Sequence, residues 1–359
     1  MTTQTQTQTI DEAKVERFLG QALGELGATL NAALVVLGDR LGLYKAMAGA
    51  GPLSAAELAR RTETDERSVR EWLNAQAAGG YVTYDAAAAR YELPPEHAFV
   101  LADEDSPAFL PGAFQLMTAA VRDEPQITES FRHGAGVGWH EHSAGVFHGC
   151  ERFFRPGYQH NLVQAWIPAL EGVEAKLRAG ARVADVGCGH GASTLIMAHA
   201  FPESELVGFD YHDGSIAAAN ERARAAGVDD RVRFEVVSST EYPGRDYDLV
   251  TTFDCLHDMG DPVSAAHHVA GTLAADGTWL IVEPFAGDRV EDNLTPVGRI
   301  YYGASTLLCT PASLSQDVGL ALGAQAGEAR LRDVVTAGGL TRFRRVAETP
   351  FNLVLEARP

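Results

Sequence analysis

From Ala181 to the C-terminus, short apolar runs alternate with helical stretches, and this alternation restricts the fold more than any other feature of the chain. The candidate strands are ARVADVG, SELVGFD, VRFEVVS, YDLVTTFD, GTWLIVEP, TRFRRVAE and FNLVLEA. Helical patterns fall between the first five, near Ser193–Ala200, Ser215–Ala226 and Val263–Ala274. Strands that alternate with helices pair side by side in parallel, with helices covering both faces of the sheet. Only Thr349 and Pro350 link the last two strands, too short a connection for a helical crossover, so these two must be antiparallel. The expected class is α/β: a Rossmann-like seven-stranded sheet that closes with an antiparallel pair.

The first strand runs into VADVGCGHG, Val183–Gly191. A strand, then glycines, then a helix puts free backbone N–H groups and a helix N-terminus at the carboxyl edge of the sheet, where open α/β folds bind ligands. Gly187, Gly189 and Ala192 also satisfy the loose dinucleotide fingerprint, so the glycines alone do not choose the ligand. The acids do. Asp185 stands two residues before the first glycine, where a carboxylate repels a pyrophosphate but attracts an ammonium group directly or through water. Asp210 ends the next strand, 19 residues after Gly191, in the position expected to hold ribose hydroxyls. A ligand with a ribose, an amino-acid tail and no phosphate suits both, and S-adenosylmethionine is such a ligand.

The N-terminal half has a different texture. A chain of 359 residues exceeds what one core organises, which points to two domains. Asn31–Ala48 has apolar residues at helical spacing, and Ser54 with Glu57 forms a capping box for the next helix. Thr64 precedes a third helix ended by Gly79 and Gly80, and YVTYDAAAARYEL reads as two strands joined by a loop. Three helices and a two-stranded wing make a winged helix. Its candidate reading helix carries Asp65, Glu66 and Glu71 against Arg67 and Arg70, and the whole chain bears a net charge of -19. Phosphate backbones need an excess of cations, so nucleic acid is not an expected partner and a dimerisation and lid role is.

The domains expected are a disordered tail over 1–10, a winged-helix domain over 11–102, a helical connector with a His-rich loop over 103–180, and a ligand-binding domain over 181–359 with an insertion at 286–327. The start MTTQTQTQTI lacks the marks of a secretion signal, and no apolar run approaches the ~20 residues that span a bilayer. The four cysteines are too scattered for a CxxC pair and suit a reducing cytoplasm.

With the glycine motif and its two acids, the C-terminal half resembles the class I S-adenosylmethionine-dependent methyltransferases. Together with the winged-helix front end, it is similar to their small-molecule branch, which includes plant and bacterial O-methyltransferases. The resemblance implies that Asp185 and the turn Gly187, Cys188, Gly189 and Gly191 hold the methionine part, and that Asp210 holds the ribose. It places Tyr211 beside the adenine, Ser238 and Ser239 at the adenine edge, and Phe253 and Asp254 in the pocket. Many relatives have an acid where Ser238 stands. The resemblance also implies S-adenosylhomocysteine as product and a homodimer formed through the front domain.

Methyl transfer to a hydroxyl needs the acceptor held in line and its proton removed. His257, in FDCLHDMGDP just past the fourth strand of the sheet, is the candidate base, and Glu283 is its candidate orienting partner or else a buried acid bonded to backbone. Asp258 is expected to point elsewhere. Between His133 and His160 lies a Gly- and His-rich loop, in which His140, His142, Phe154, Tyr158 and His160 are candidate substrate contacts. Tyr301 and Tyr302, in the insertion, suggest a helix that walls a small pocket. No HExxH or CxxC spacing appears, and no metal is expected. The leading expectation is O-methylation of a small molecule. The alternatives are metal-assisted C-methylation of a 2-oxo acid and an S-adenosylmethionine-responsive DNA-binding regulator, with a nicotinamide oxidoreductase disfavoured by Asp185.

Overall fold

The computed structural model describes residues 10–359 and divides into two compact units, up to Gln115 and from Leu116. The tail expected over 1–10 lies, apart from Ile10, outside the described residues.

The first unit opens with one 29-residue helix, Glu12–Arg40, whose N-cap Asp11 accepts from the Lys14 backbone. The helix expected at Asn31–Ala48 is therefore two pieces. It breaks where Gly42 takes φ 67° and restarts as Leu43–Met47. The long helix is apolar and long enough to cross a membrane by length and composition, contrary to the sequence expectation. That expectation looked for an unbroken apolar run, whereas here Gly, Ala and Thr fill the spaces between leucines. Leu19, Leu23, Leu26, Leu30 and Leu37 are all exposed. The capping box forms as expected, with the Ser54 backbone N–H donating to Glu57 at 2.8 Å. Asp65 caps the helix Glu66–Ala78, its side chain accepting from the Ser68 backbone N–H. The wing pairs β1 (Thr83–Asp85) with β2 (Arg90–Glu92). Leu43, Leu58, Leu73, Trp72 and Tyr91 form this unit's core.

The second unit holds the seven-stranded sheet. Its strands are β3 (Arg182–Val186), β4 (Glu205–Asp210), β5 (Val232–Val236), β6 (Tyr247–Phe253), β7 (Leu273–Pro284), β8 (Arg342–Glu348) and β9 (Asn352–Arg358). They lie in the order β5-β4-β3-β6-β7-β9-β8. β3 to β7 run parallel, and β9 is antiparallel to both β7 and β8, as the two-residue link requires. The chain order reverses at β3, whose neighbours are β4 and β6, and there the carboxyl ends of adjacent strands diverge into a crevice. One core packs Trp166, Phe201, Leu249 and Leu280 against one face, and another packs Val250, Trp279, Ile281 and Leu355 against the other. Burying apolar area at about 25 cal/mol per Å² on both faces makes the sheet a rigid platform for its loop ends.

The stretch read as a His-rich loop is mostly helix, Ala144–Asn161, followed by a π turn, Leu162–Trp166. Its Gly145, Gly149, Gly157 and Pro156 argue locally against helix. Packing prevails, because Val146, Tyr158, Leu162 and Trp166 are buried. The insertion forms a helix, Pro296–Ala304, a second π turn, Ser305–Cys309, and a short helix, Thr310–Leu314.

Candidate active site

The glycine turn is built for close approach. Gly187 (φ 73°) leaves no room for a Cβ, which would meet Cys255 Sγ at 2.6 Å, and a Cβ on Gly191 (φ 77°) would meet the Phe234 ring at 2.6 Å. Gly189 has open space beside it and, with Gly187 and Cys188, lines the crevice. Gly191 instead packs inward and starts the helix Ala192–Ala200.

The structure turns the Asp185 carboxylate away from the crevice. Its carboxylate is buried and accepts three hydroxyls: Ser193 at 2.7 Å, Thr194 at 2.6 Å and Thr251 at 2.9 Å. Burial raises its pKa and the three hydroxyls work against that rise. Asp185 thus ties β3 to β6 and to the helix start, and lies behind the crevice wall rather than in it. Asp210 does face the crevice. One oxygen accepts the Gly189 backbone N–H and the other that of His212, both at 2.9 Å, so this carboxylate fixes the shape of the glycine turn.

Tyr211, Ser239, Phe253 and Asp254 line the crevice as expected, but Ser238 does not, because its hydroxyl donates to Glu241 at 3.1 Å. His190, between two motif glycines, was not singled out in the sequence. It lines the crevice with a buried Nδ1 that has no partner, and burial, helped by Arg222, pushes its pKa down to about 4.

The helix Ala144–Asn161 supplies the opposite wall through Phe147, Glu151, Phe154 and Tyr158. Phe147 stacks on His212 at 4.4 Å. Of the expected substrate contacts, Phe154 and Tyr158 are in the wall and the three histidines are not. His142 is buried against Asp123 at 2.6 Å, and His140 packs beside Gly138. His160 Nδ1 donates to the Pro156 carbonyl one helical turn back, at 2.9 Å, so its ring lies along its own helix.

Residues 256–258 form a 3₁₀ turn, in which successive side chains diverge by about 120°. His257 consequently turns into the protein and Asp258 into the crevice, the reverse of the expectation for Asp258. Asp258 accepts the Trp139 indole N–H at 2.7 Å. His257 Nδ1 donates to Glu283 at 2.5 Å, and the other Glu283 oxygen accepts the Leu256 backbone N–H at 2.9 Å, so both readings of Glu283 hold together. Burial disfavours a charged His257 ring, but Glu283, with Cys309 on its other side, outweighs burial and holds the pKa above the ordinary histidine value.

Asp254, with φ 50°, accepts the Tyr158 hydroxyl at 2.8 Å and the Asn352 amide at 3.2 Å. Burial, then Glu283, pushes its pKa up to about 7. Burial also pushes Asp258 up to about 7. From the insertion, Gln316 joins the wall, whereas Tyr301 is buried and donates to the Phe351 carbonyl at 2.7 Å. Tyr302 is half-buried and outside the wall. Among the described residues, no three His, Cys, Asp or Glu side chains are placed to share a metal ion.

The wall thus carries Glu151, Asp210, Asp254 and Asp258, and among the described residues no lysine or arginine. Such a surface disfavours a pyrophosphate and favours a ligand that brings hydroxyls and positive charge.

Known proteins share this architecture. A domain family described as an Rv2258c-like winged HTH domain matches residues 29–103, and a methyltransferase domain family matches residues 177–316. The chain is similar to 27-O-demethylrifamycin SV methyltransferase of Amycolatopsis mediterranei, 34% identical over 143 residues, which are 39% of this chain and 44% of that protein. It spans about half or less of the length of the curated relatives it matches first. In fold it is similar to mitomycin 7-O-methyltransferase, with a TM-score of 0.70 at 19% identity over 97% of this chain and 99% of that one. It is also similar to human N-acetylserotonin methyltransferase, solved with S-adenosylmethionine, with a TM-score of 0.66 at 15% identity over 100% and 99% of the two chains. The chain thus matches a winged HTH domain ahead of a methyltransferase domain and shares the fold of these methyltransferases.

Proposed function

We propose that the protein transfers the methyl group of S-adenosylmethionine to an oxygen of a small molecule. The observation that carries this reading is Asp210, which locks the glycine turn and faces a crevice walled by acids. When bound, the cofactor supplies an electrophilic methyl on a sulfonium. Gly187 and Gly189 would lie against its methionine part, Asp210 would accept its ribose hydroxyls, and Tyr211 and Ser239 would flank the adenine. His257 is the base and Glu283 fixes its ring. The ring is buried beside Cys309 and is not part of the crevice wall, so an acceptor hydroxyl would reach it only after the Cys309 side chain moves aside. Labelled product from methyl-labelled S-adenosylmethionine and a small-molecule extract of the host tests the reading, and absence of any labelled small molecule despite cofactor binding counts against it.

Charge coupling gives a separate check. Burial raises the pKa of Asp254 and Asp258 to about 7, so both carboxyls should carry part of a proton near neutral pH. A sulfonium beside them favours the ionised form, lowers both pKa values and releases protons. Calorimetry in two buffers of different ionisation enthalpy should show net proton release on S-adenosylmethionine binding near pH 7. The release should exceed that for the uncharged S-adenosylhomocysteine thioether, and net uptake would contradict it.

We further place the protein as a homodimer. Leu19, Leu23, Leu26 and Leu30 repeat at intervals of 4, 3 and 4, the seam of a coiled coil, and Leu37 continues it one heptad on. Leu23, Leu26 and Leu30 are 64–72% exposed, and a second copy of the same stripe is self-complementary. Leu26→Glu should convert a dimer to a monomer by light scattering without loss of S-adenosylhomocysteine binding. An unchanged mass, or binding of the wild type to lipid vesicles in place of dimerisation, would overturn this. Nucleic acid is not among the proposed partners: Arg67 pairs with Glu71 at 2.6 Å and Arg70 pairs with Glu66, which neutralises the helix that would read DNA. Four free cysteines suit a cytoplasmic site of action.

A further inference from the structure

We infer that Asp254 is the acceptor-recognition group of the crevice, holding a hydroxyl or ammonium donor of the acceptor, and that the crevice rejects acceptors bearing a carboxylate. This rests on the methyltransferase reading above. Asp254 was expected to serve the cofactor, but its carboxylate is hydrogen-bonded to Tyr158 and Asn352 and not to the glycine turn. Its carboxylate feels the charges of Glu283 and His257, and in turn influences Tyr301 and Cys150. His257 and Glu283 are the base and its partner, Tyr301 lies in the insertion, and Cys150 lies in the helical wall. Asp210, by contrast, is tied to Gly189 and His212.

The carboxylate is built to receive a donor. It is held at φ 50° by a turn, with Tyr158 from the helical wall on one oxygen and Asn352 from β9 on the other. A carboxylate offers about four acceptor sites, and these two neutral donors fill only part of them. A buried carboxylate is costly unless paired, and no lysine or arginine of the wall pairs with it. An O–H or N–H donor on the acceptor supplies the missing partner, and an ammonium supplies it best. An acceptor carboxylate would instead face Asp254 and Asp258 across a wall that carries no lysine or arginine, Glu151 being paired with Arg222 at 3.1 Å. This disfavours 2-oxo acids and other anionic acceptors.

The test uses the full chain saturated with S-adenosylhomocysteine and three phenols that share a ring and differ in the charge of the para arm: tyramine, 4-hydroxybenzyl alcohol and 4-hydroxybenzoate. Saturation-transfer NMR at millimolar concentration reads their binding. Tyramine should bind best, and 4-hydroxybenzoate at least about tenfold more weakly than 4-hydroxybenzyl alcohol. Asp254→Asn should cut the preference for tyramine over 4-hydroxybenzyl alcohol by about tenfold. Tyr158→Phe, which only loosens the carboxylate, should cut it less. Binding of 4-hydroxybenzoate equal to the others, or no binding of any of the three, overturns the inference. So does a loss of S-adenosylhomocysteine affinity in Asp254→Asn as large as the loss of tyramine binding, which would assign Asp254 to the cofactor's ammonium. Failure of the wild type to bind S-adenosylhomocysteine would instead overturn the underlying methyltransferase reading.

Discussion

Asp210→Ala should lower S-adenosylhomocysteine affinity by at least about a hundredfold, the largest binding effect expected of any single substitution in this protein. Two losses combine. The ribose hydroxyls lose their acceptor, and the Gly189 and His212 backbone N–H groups, each now bonded to Asp210 at 2.9 Å, are left without a partner. Stranding a buried donor costs about 1–3 kcal/mol, so the glycine turn itself loosens. Asp210→Asn keeps the volume and one acceptor oxygen, and should fall between. Calorimetric titration of both variants, with thermal melts of the empty proteins, separates lost contact from lost fold. Near-normal affinity in the alanine variant would remove Asp210 from the site.

His257→Ala should lower kcat by about 10²–10⁴ while leaving S-adenosylhomocysteine affinity close to that of the wild type. The pH profile is the more specific reading. A base acts in its neutral form, and Glu283 holds the His257 pKa above 6.5, so the rate should rise with pH through a value above that of an ordinary histidine. Glu283→Gln removes the opposing charge. The rising limb should then move to lower pH, while the plateau falls because a neutral amide oxygen orients the ring less firmly than the carboxylate that now accepts from it at 2.5 Å. A limb that stays in place in Glu283→Gln would mean that another group titrates, and Asp258, which faces the crevice with its pKa raised to about 7, is the first to test.

Much of this was legible in the chain because it follows local periodicity. Alternating runs and glycine punctuation locate every strand of the large sheet, and a two-residue link settles the antiparallel pair. Asp210 was legible from its place at a strand end. The direction of Asp185 was not, because the three hydroxyls that turn it inward come from residues 8, 9 and 66 positions away. Nor was the exchange of His257 and Asp258, which depends on a 3₁₀ turn that leaves no periodic mark in three residues. The helix Ala144–Asn161 was hidden by its three glycines and one proline, and it forms because burial outweighs their weak helix preference. Once it is helical, His148 and His160 bond to carbonyls four residues back, which removes them from the crevice. Asn352, which reaches Asp254 from the final strand, could be found only in three dimensions.

A crevice of this make-up should take a ribose-bearing sulfonium cofactor and not a dinucleotide. Titrating the full chain with S-adenosylhomocysteine and, separately, with NADH in the same calorimeter tests it directly. The expected result is one S-adenosylhomocysteine per chain with micromolar affinity and no heat from NADH. Saturable NADH binding with none for S-adenosylhomocysteine would contradict the assignment of Asp210 and of the acidic wall together.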